Sequence, residues 1–214
     1  MTTRDTTKQR RRGPSLLTVA LVAIPVLASI ALVFGGGGDS EPATGAPTVS
    51  GQALPAFTGD GADPAVGMAA PEVEGAAFDG GPVAITRDGT AKIIVFLAHW
   101  CPHCQREVPA VNEWLEQRGL PEGVELYSVV TSIDPSLPNY PPDEWLRREG
   151  WSVPVLADDA RNSVATAYGL NAFPYWVFVT ADGTVAQRAT GELPADTLER
   201  AAADLAPGTP TTTG

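Results

Sequence analysis

Cysteine and histidine are the scarcest chemically reactive residues of this chain, with two of each among 214 residues. Two cysteines cannot build the several bridges that hold a disulfide-rich secreted scaffold together. They also leave no second cluster of Cys or His with which a closed, four-ligand zinc site could be completed elsewhere. All four residues fall between positions 99 and 104, in the stretch "HWCPHC". The reactive side chains are therefore concentrated in one place.

Positive charge is scarce outside the first twelve residues, and Lys92 is the only lysine after Lys8. Residues 13–214 hold nine basic and 24 acidic side chains, and the whole chain has a formal net charge of -11 at pH 7. An acidic body repels phosphates, which argues against nucleic acid as a partner.

Charge is absent from residues 15–34, "SLLTVALVAIPVLASIALVF". Twenty such residues form a helix of about 30 Å, the thickness of the hydrocarbon core of a membrane. The basic residues of segment 1–14 predict a cytoplasmic N-terminus. The apolar run is longer than that of a signal peptide and lacks a small-x-small cleavage site, so an uncleaved signal-anchor is favoured over a cleaved signal peptide. We therefore expect a single-pass protein of the cell membrane with an extracytoplasmic catalytic domain.

Composition divides the rest of the chain into three parts. Residues 35–64 are rich in Gly, Ala, Pro, Thr and Ser, which predicts a flexible linker. Residues 207–214, "PGTPTTTG", predict a disordered tail. Residues 65–206 between them have the length of one domain.

Strand and helix signals alternate within this domain. The apolar run 92–98, "KIIVFLA", predicts a strand buried on both faces. Further elements are expected in chain order: a helix at 102–118, a strand at 124–130, a helix at 143–150, a strand at 153–158, a helix at 160–170, a hairpin at 175–190 and a helix at 194–205. This order predicts an α/β fold with a mixed central sheet covered by helices on both faces. Four tryptophans are expected to pack in its core: Trp114, Trp145, Trp151 and Trp176.

The two cysteines lie where the predicted strand meets the predicted helix. A bridge between Cys101 and Cys104 closes a loop of only a few residues, so it would constrain the unfolded chain little. Two thiolates with His99 and His103 form a reasonable ligand set for zinc or copper, but the four side chains converge on one ion only under strain. An exchangeable disulfide is the favoured interpretation.

In that interpretation the two cysteines have different roles. Cys101 lies at the helix N-terminus, where free N–H groups and the positive dipole end stabilise its thiolate, which is the nucleophile. Cys104, one turn later, is expected to be buried and to resolve the mixed disulfide. Pro102 suits the first helical turn, and His103 can offer a positive charge or a hydrogen bond to the thiolate.

Three segments resemble the membrane-anchored thiol–disulfide oxidoreductases of the TlpA/ResA kind, in the thioredoxin superfamily. The stretch "CPHCQREVP" is similar to their pattern C-x-x-C-x-x-E-x-P, with Trp100 before the first cysteine. "GMAAPEVEG", residues 67–75, is similar to the segment that opens their domain. "YGLNAFPYWVFVTADGTV", residues 168–185, is similar to their loop, strand and turn containing a cis-proline. The resemblance covers nearly all of residues 65–206 and implies a thioredoxin-like fold.

The resemblance also implies roles for individual residues. Cys101 matches the nucleophile and Cys104 the resolving cysteine of a redox-active disulfide. Pro174 matches the cis-proline that lies against this disulfide and aligns the substrate backbone, and Pro109 matches a proline that kinks the helix. Glu107 matches a carboxylate near the cysteines, and helix spacing supports this independently because residues 104 and 107 are i, i+3 neighbours.

Three features depart from the usual pattern of these proteins. The residue before the cis-proline is commonly small or β-branched, whereas Phe173 stands here and would alter the substrate groove. His99 replaces a small or polar residue. The dipeptide Pro102-His103 is that of DsbA-type oxidants, rather than the Glu-Pro of reducing members.

The resemblance implies a protein-disulfide oxidoreductase that needs no cofactor. Its expected partners are exported cysteine-containing proteins, with apocytochrome c in cytochrome c biogenesis as a candidate, and a membrane thiol–disulfide electron-transfer protein. Three alternatives stay open: a DsbA-like disulfide-forming oxidant, a thioredoxin-fold copper chaperone and a noncatalytic redox sensor. The direction of electron flow is open too, because His103 favours the Cys101 thiolate whereas the carboxylate of Glu107 disfavours it.

Overall fold

A five-stranded mixed sheet forms the centre of the domain in the computed structural model, which describes residues 45–208. The elements in chain order are β1 (Thr48–Ser50), β2 (Glu72–Ala76), β3 (Pro82–Ile85), β4 (Ala91–Leu97), α1 (Pro102–Arg118), β5 (Val124–Val130), α2 (Pro142–Arg148), β6 (Val155–Ala157), α3 (Ser163–Ala167), β7 (Tyr175–Val179), β8 (Val185–Thr190) and α4 (Ala195–Leu205).

The central sheet has the strand order β6-β5-β4-β7-β8. Strands β4, β5 and β6 are parallel to one another, while β7 is antiparallel to both β4 and β8. The hairpin of β7 and β8 closes this sheet on one side. The mixed sheet predicted from the order of the elements is therefore present.

Strand β4 is buried along its whole length because both faces of the sheet are covered. Ile93, Val95 and Leu97 pack into one core with side chains from α1, α2 and α4. Ile94 and Phe96, which alternate with them, pack into a second core with side chains from α3 and from the strands β2 and β3. The period of two in a strand thus divides one apolar run between two cores.

Helix α1 coincides with the predicted helix at 102–118. It begins at Pro102 and ends at Arg118, and the C-cap residue Gly119 has a positive φ of 70°, which glycine adopts readily. The shorter helix α3 begins later than predicted, at Ser163, and Asp158 and Asp159 accept hydrogen bonds from its first backbone N–H groups. Of the four tryptophans, Trp114, Trp145 and Trp176 are buried and Trp151 is half-buried against the same core.

A second sheet, with the order β1-β2-β3, was not predicted. Its first strand lies inside residues 35–64, the predicted flexible linker, and pairs antiparallel with β2. The same segment continues onto the domain, where the buried Leu54 donates a backbone hydrogen bond to the carbonyl of Ala167. The linker prediction therefore differs from the structure over residues 45–64. The few apolar residues of this Pro- and Gly-rich segment show no hydrophobic periodicity from which a strand could be predicted.

Several predictions concern parts of the chain outside the described residues. These are the cytoplasmic segment 1–14, the signal-anchor 15–34, the first part of the linker and the tail from residue 209 onward. Within residues 45–208, no helix combines the length and the apolar character that crossing a membrane requires.

Candidate active site

The chain turns from strand β4 into helix α1 at the two cysteines. Ala98 ends the buried run, and its carbonyl accepts a hydrogen bond from the N–H of Cys101 at 3.0 Å. Cys101 is the N-cap of α1 and has extended backbone angles, φ -76° and ψ 119°, with Pro102 at the first helical position. The helix N-terminus therefore places its free N–H groups and positive dipole end beside the thiol of Cys101.

The two cysteines are free, buried thiols. Cys101 keeps 6% of its surface exposed at the start of the helix, whereas Cys104 is fully buried. The sulfur of Cys104 lies 3.5 Å from the backbone N–H of Ala98, which donates to it. Burial nevertheless raises the pKa of the Cys104 thiol, and the neighbouring Cys101 and Glu107 raise it further. Cys101 is accordingly the accessible sulfur, and Cys104 stays protonated until something accepts its proton.

Glu107 lies on the buried face of α1, three residues after Cys104, and is 2% exposed. Its Oε1 accepts a hydrogen bond of 3.0 Å from the backbone N–H of Leu193. Burial raises the pKa of Glu107 to about 7, and Glu192 adds to that rise, while the hydrogen bond from Leu193 opposes it. A carboxyl group with this pKa exchanges its proton near neutrality, as a general acid or base does.

His103 lies on the exposed side of the same helix. Its Nδ1 is 2.7 Å from Oε1 of Glu192, and Nη2 of Arg106 is 2.6 Å from the same oxygen. Neither Arg106 nor Glu192 is singled out by a sequence pattern. Glu192 is 89 residues from His103 along the chain and belongs to no motif, so only the tertiary structure brings the three side chains together.

The loop before β7 completes the site. The Phe173–Pro174 peptide bond is cis. The ring of Phe173 packs edge-on against the indole of Trp100, with 5.8 Å between their centroids. The Nε1 of that indole donates a 2.7 Å hydrogen bond to the carbonyl of Ser132. The aromatic pair therefore forms one wall beside the cysteines, and a large residue at position 173 has an explanation in this contact.

His99 is fully buried, and its ring bonds the loop that precedes α2. Its Nδ1 donates to the carbonyl of Pro138 at 2.6 Å, and its Nε2 accepts from the backbone N–H of Asp134 at 3.2 Å. Both ring nitrogens are thus engaged by the loop that precedes α2, a loop that also contains the second cis bond, Tyr140–Pro141.

The four Cys and His residues do not converge. The ring of His99 bonds the loop backbone, and that of His103 contacts Glu192 on the surface. Throughout the described part of the chain there is no group of three or more His, Cys, Asp or Glu side chains arranged to hold a metal ion. The residues of the stretch 99–104 therefore separate into a thiol pair, a loop anchor and a surface ion pair.

Curated relatives named thiol-disulfide oxidoreductase ResA share sequence with this chain. The thiol-disulfide oxidoreductase ResA of Geobacillus kaustophilus is 27% identical over 112 residues, which cover 52% of this chain and 61% of that protein. The ResA of Geobacillus thermodenitrificans is 26% identical over 137 residues, 64% of this chain and 75% of that protein. The chain thus spans about three fifths of the first relative. These matches confirm the resemblance to the TlpA/ResA group.

Solved structures show the same fold. A putative thiol:disulfide interchange protein DsbE from Chlorobium tepidum superposes with a TM-score of 0.54 and 21% identity, covering 64% of this chain and 94% of that chain. StoA from Bacillus subtilis gives a TM-score of 0.52 and 19% identity, covering 64% of this chain and 98% of that chain. The thioredoxin-like fold is therefore confirmed for the described domain.

The sequence of residues 50–205, which includes the central sheet, strands β2 and β3, all four helices and the cysteine pair, matches the redoxin family. Because this match extends over most of the chain, the protein belongs to the redoxin family.

Proposed function

We propose that this protein is a thiol–disulfide oxidoreductase that exchanges disulfides with cysteine-containing proteins through Cys101 and Cys104. The observation that carries the proposal is the asymmetry of the two thiols. Cys101 occupies the N-cap position of the helix and keeps 6% exposure, while Cys104 is completely buried one turn later. The relatives named thiol-disulfide oxidoreductase ResA support the same activity.

The first half of the exchange is performed by Cys101. Its thiolate attacks one sulfur of a substrate disulfide, so that a mixed disulfide forms and the other substrate sulfur leaves as a thiolate and takes up a proton. The helix N-terminus stabilises the attacking anion. The wall formed by Trp100 and Phe173, together with Pro174, borders the place where the substrate chain would lie.

The second half is performed by Cys104. Its proton passes to the carboxylate of Glu107, and its sulfur attacks that of Cys101, which breaks the mixed disulfide and releases the second substrate thiol. Two electrons have then moved from the dithiol of the protein to the substrate, and Cys101 and Cys104 are joined. Glu107 suits this role because its pKa of about 7 lets it accept a proton at neutral pH and release it afterwards.

We further propose that the protein works as a reductant, outside the cytoplasm, tethered by the apolar segment 15–34. Its substrates would be exported cysteine-containing proteins, with apocytochrome c as a candidate, and a membrane thiol–disulfide transporter would supply its electrons. The contact of His103 with Glu192 supports the reducing direction, since the negative charge of Glu192 opposes the stabilisation that basic side chains near Cys101 give to its thiolate. The Pro-His dipeptide between the cysteines favours the competing function, a DsbA-like oxidant.

The proposed activity is tested by trapping the mixed disulfide. The full chain carrying Cys104→Ser, incubated with an oxidised protein such as insulin, should accumulate a covalent adduct through Cys101. The variant Cys101→Ser should form none, and the unaltered protein should reduce insulin at least ~100-fold faster than either variant. Failure of Cys104→Ser to form an adduct would contradict the exchange mechanism.

The direction is tested by equilibrating the full chain with glutathione buffers. A reductant should titrate near the potential of thioredoxin, about -270 mV, and an oxidant near that of DsbA, about -120 mV. A reduction potential near that of DsbA would contradict the reducing function and indicate that the protein forms disulfides.

A further inference from the structure

The three residues that follow strand β8 contact three different parts of the candidate site. The N–H of Gly191 donates to the carbonyl of Pro174 at 2.8 Å. The carboxylate of Glu192 contacts His103 and Arg106 on the outer side of α1. The N–H of Leu193 donates to the buried carboxyl of Glu107 at 3.0 Å. The segment 191–193 therefore fixes the cis-proline loop and both faces of the helix that carries the cysteines.

Glu192 is the charged member of this segment, and one of its oxygens makes both contacts. Oε1 lies 2.7 Å from Nδ1 of His103 and 2.6 Å from Nη2 of Arg106. The hydrogen bond from Arg106 lowers the pKa of Glu192, and that from His103 lowers it further. Glu192 is thus a carboxylate at neutral pH, and its negative charge sits against two basic side chains.

The Nδ1 atom of His103 is fully occupied by this cluster. Nη2 of Arg106 lies 2.8 Å from Nδ1, in addition to the contact with Glu192. A guanidinium only donates, so Nδ1 either accepts from Arg106 or donates to Glu192. In either arrangement a contact at Nδ1 holds the imidazole ring in place. The carboxylate of Glu192 balances any positive charge on that ring.

The same cluster lies within electrostatic reach of the nucleophile. The pKa of Arg106 is raised chiefly by its hydrogen bond to Glu192, and a negative charge on Cys101 raises it further. Geometry places the cluster at the same end of α1 as the nucleophile: Cys101 is the N-cap of the helix, and His103 and Arg106 follow it within the first two turns. A nearby cation stabilises a thiolate and a nearby carboxylate offsets that effect. We therefore expect the balance between Arg106 and Glu192 to act on the sulfur that attacks the substrate.

We propose that Glu192 is a positioning residue that limits the reactivity of Cys101 as a nucleophile, by neutralising Arg106 and holding the ring of His103. This rests on the proposed exchange function, because it concerns the same thiolate. It makes the protein less oxidising than its Pro-His dipeptide alone would make it. His103 and Arg106 are present on the first two turns of α1, but the carboxylate of Glu192, which follows β8, offsets their charge.

The decisive variants are Glu192→Gln and Arg106→Gln in the full chain, each reduced and then alkylated with iodoacetamide at pH 6. Glu192→Gln should alkylate at Cys101 about two- to threefold faster, because one nearby negative charge at a screened surface site is removed. Arg106→Gln should alkylate more slowly by a similar factor. Glu192→Asp should stay near the unaltered rate, since it keeps the charge.

The redox equilibrium with glutathione gives a second readout of the same balance. A threefold stabilisation of the reduced form corresponds to a potential about 14 mV more oxidising for Glu192→Gln, with the opposite sign for Arg106→Gln. Glu199→Gln is the matched control. Glu199 is 46% exposed against 38% for Glu192 and also pairs across to α1, but with Arg118 at its far end.

The outcomes separate the inference from the proposed function. Opposite shifts for the two variants, with no shift for the control, support the role of Glu192. The inference would be overturned if Glu192→Gln and Arg106→Gln shifted the alkylation rate in the same direction. It would also be overturned if all variants reacted at the same rate, or if Glu199→Gln had an effect equal to that of Glu192→Gln. The alkylation rate requires no substrate, so opposite shifts in a protein that traps no insulin would sustain the inference while refuting the exchange function.

Discussion

Glu107 shows how the surroundings of one residue decide its chemistry. Its position on α1 would suit an exposed helical glutamate, yet it is buried and its carboxyl accepts a hydrogen bond from Leu193. Its pKa rises from 4.5 to about 7, chiefly because burial disfavours the charged form. The native state consequently binds more protons than the unfolded state between these two values. The stability that this group contributes is present below pH 4.5 and is lost as the pH rises through 7.

We therefore expect Glu107→Gln to be more stable than the unaltered protein at pH 8, by about 3 kcal/mol, and by less than about 1 kcal/mol at pH 5. The amide keeps an acceptor for Leu193 without carrying a charge that burial opposes. Urea unfolding of the reduced protein at both pH values measures the difference. Glu116→Gln, at an exposed position on the same helix, is the control and should change neither value. A stability difference that does not depend on pH would contradict the assignment.

The same substitution should slow the second half of the exchange. Without a carboxylate to accept the proton of Cys104, the mixed disulfide with Cys101 should persist about 100-fold longer. Quenching with acid and separating the covalent adduct by electrophoresis measures its lifetime. Adduct lifetimes equal to those of the unaltered protein would show that Glu107 takes no part in resolution.

At the scale of elements, Gly169 lets the end of α3 pack closely against residues 54–57, the N-terminal segment of the domain. Gly169 follows the C-terminal end of α3 with φ of 74°, and a Cβ there would lie 2.4 Å from the carbonyl oxygen of Pro55. Its own carbonyl accepts from the N–H of Phe57 at 2.9 Å. The close approach of two backbones is thus possible only without a side chain.

Gly169→Ala should destabilise the protein by at least about 3 kcal/mol, since the left-handed conformation and the backbone clash add together. Gly150→Ala is the matched control. Gly150 follows α2 with a similar φ of 70°, and a Cβ at that position meets no atom within 4 Å among the described residues. The control should cost only about 1 kcal/mol. Thermal unfolding of the two variants distinguishes these values, and equal losses would rule out the clash.

The elements themselves follow closely from sequence. The β4 run and the helix at 102–118 were predicted at nearly their observed bounds, because an unbroken apolar stretch and a Pro-to-Gly span are local signals. The sheet of β1, β2 and β3 was missed. Its strands are three to five residues long, and their pairing partners decide their conformation more than their own sequence does.

At the scale of the whole molecule, Arg188 ties the N-terminal segment to the central sheet. Its side chain on β8 is fully buried and paired with Asp63. Its Nη1 also donates to the carbonyl of Pro55 at 2.8 Å, and its guanidinium lies 5.3 Å from the ring centroid of Phe57. Residues 54–63 therefore belong to the folded domain and supply the counter-charge for a cation in its interior.

Asp63→Asn should cost about 3 kcal/mol of stability, because it leaves a buried guanidinium without its carboxylate. The pKa of Asp63 is lowered chiefly by its hydrogen bonds with Arg188, so its contribution is present above the ordinary aspartate pKa and is lost as the pH falls. Asp143→Asn removes an exposed partner of Arg147 at 3.7 Å and should cost less than about 1 kcal/mol. Similar losses in urea unfolding at pH 7 would contradict the role given to Arg188.

Sequence alone determined the features whose cause is local. The apolar run of β4, the start of α1 at Pro102 and the cap position of Cys101 all depend on neighbouring residues, so the reactive thiol could be recognised without a structure. Only the tertiary structure decided what surrounds that thiol. Glu192 reaches His103 from 89 positions away, and Leu193 and the core bury Glu107. Such contacts join segments that are distant along the chain, and no local pattern records which distant segment will pack there.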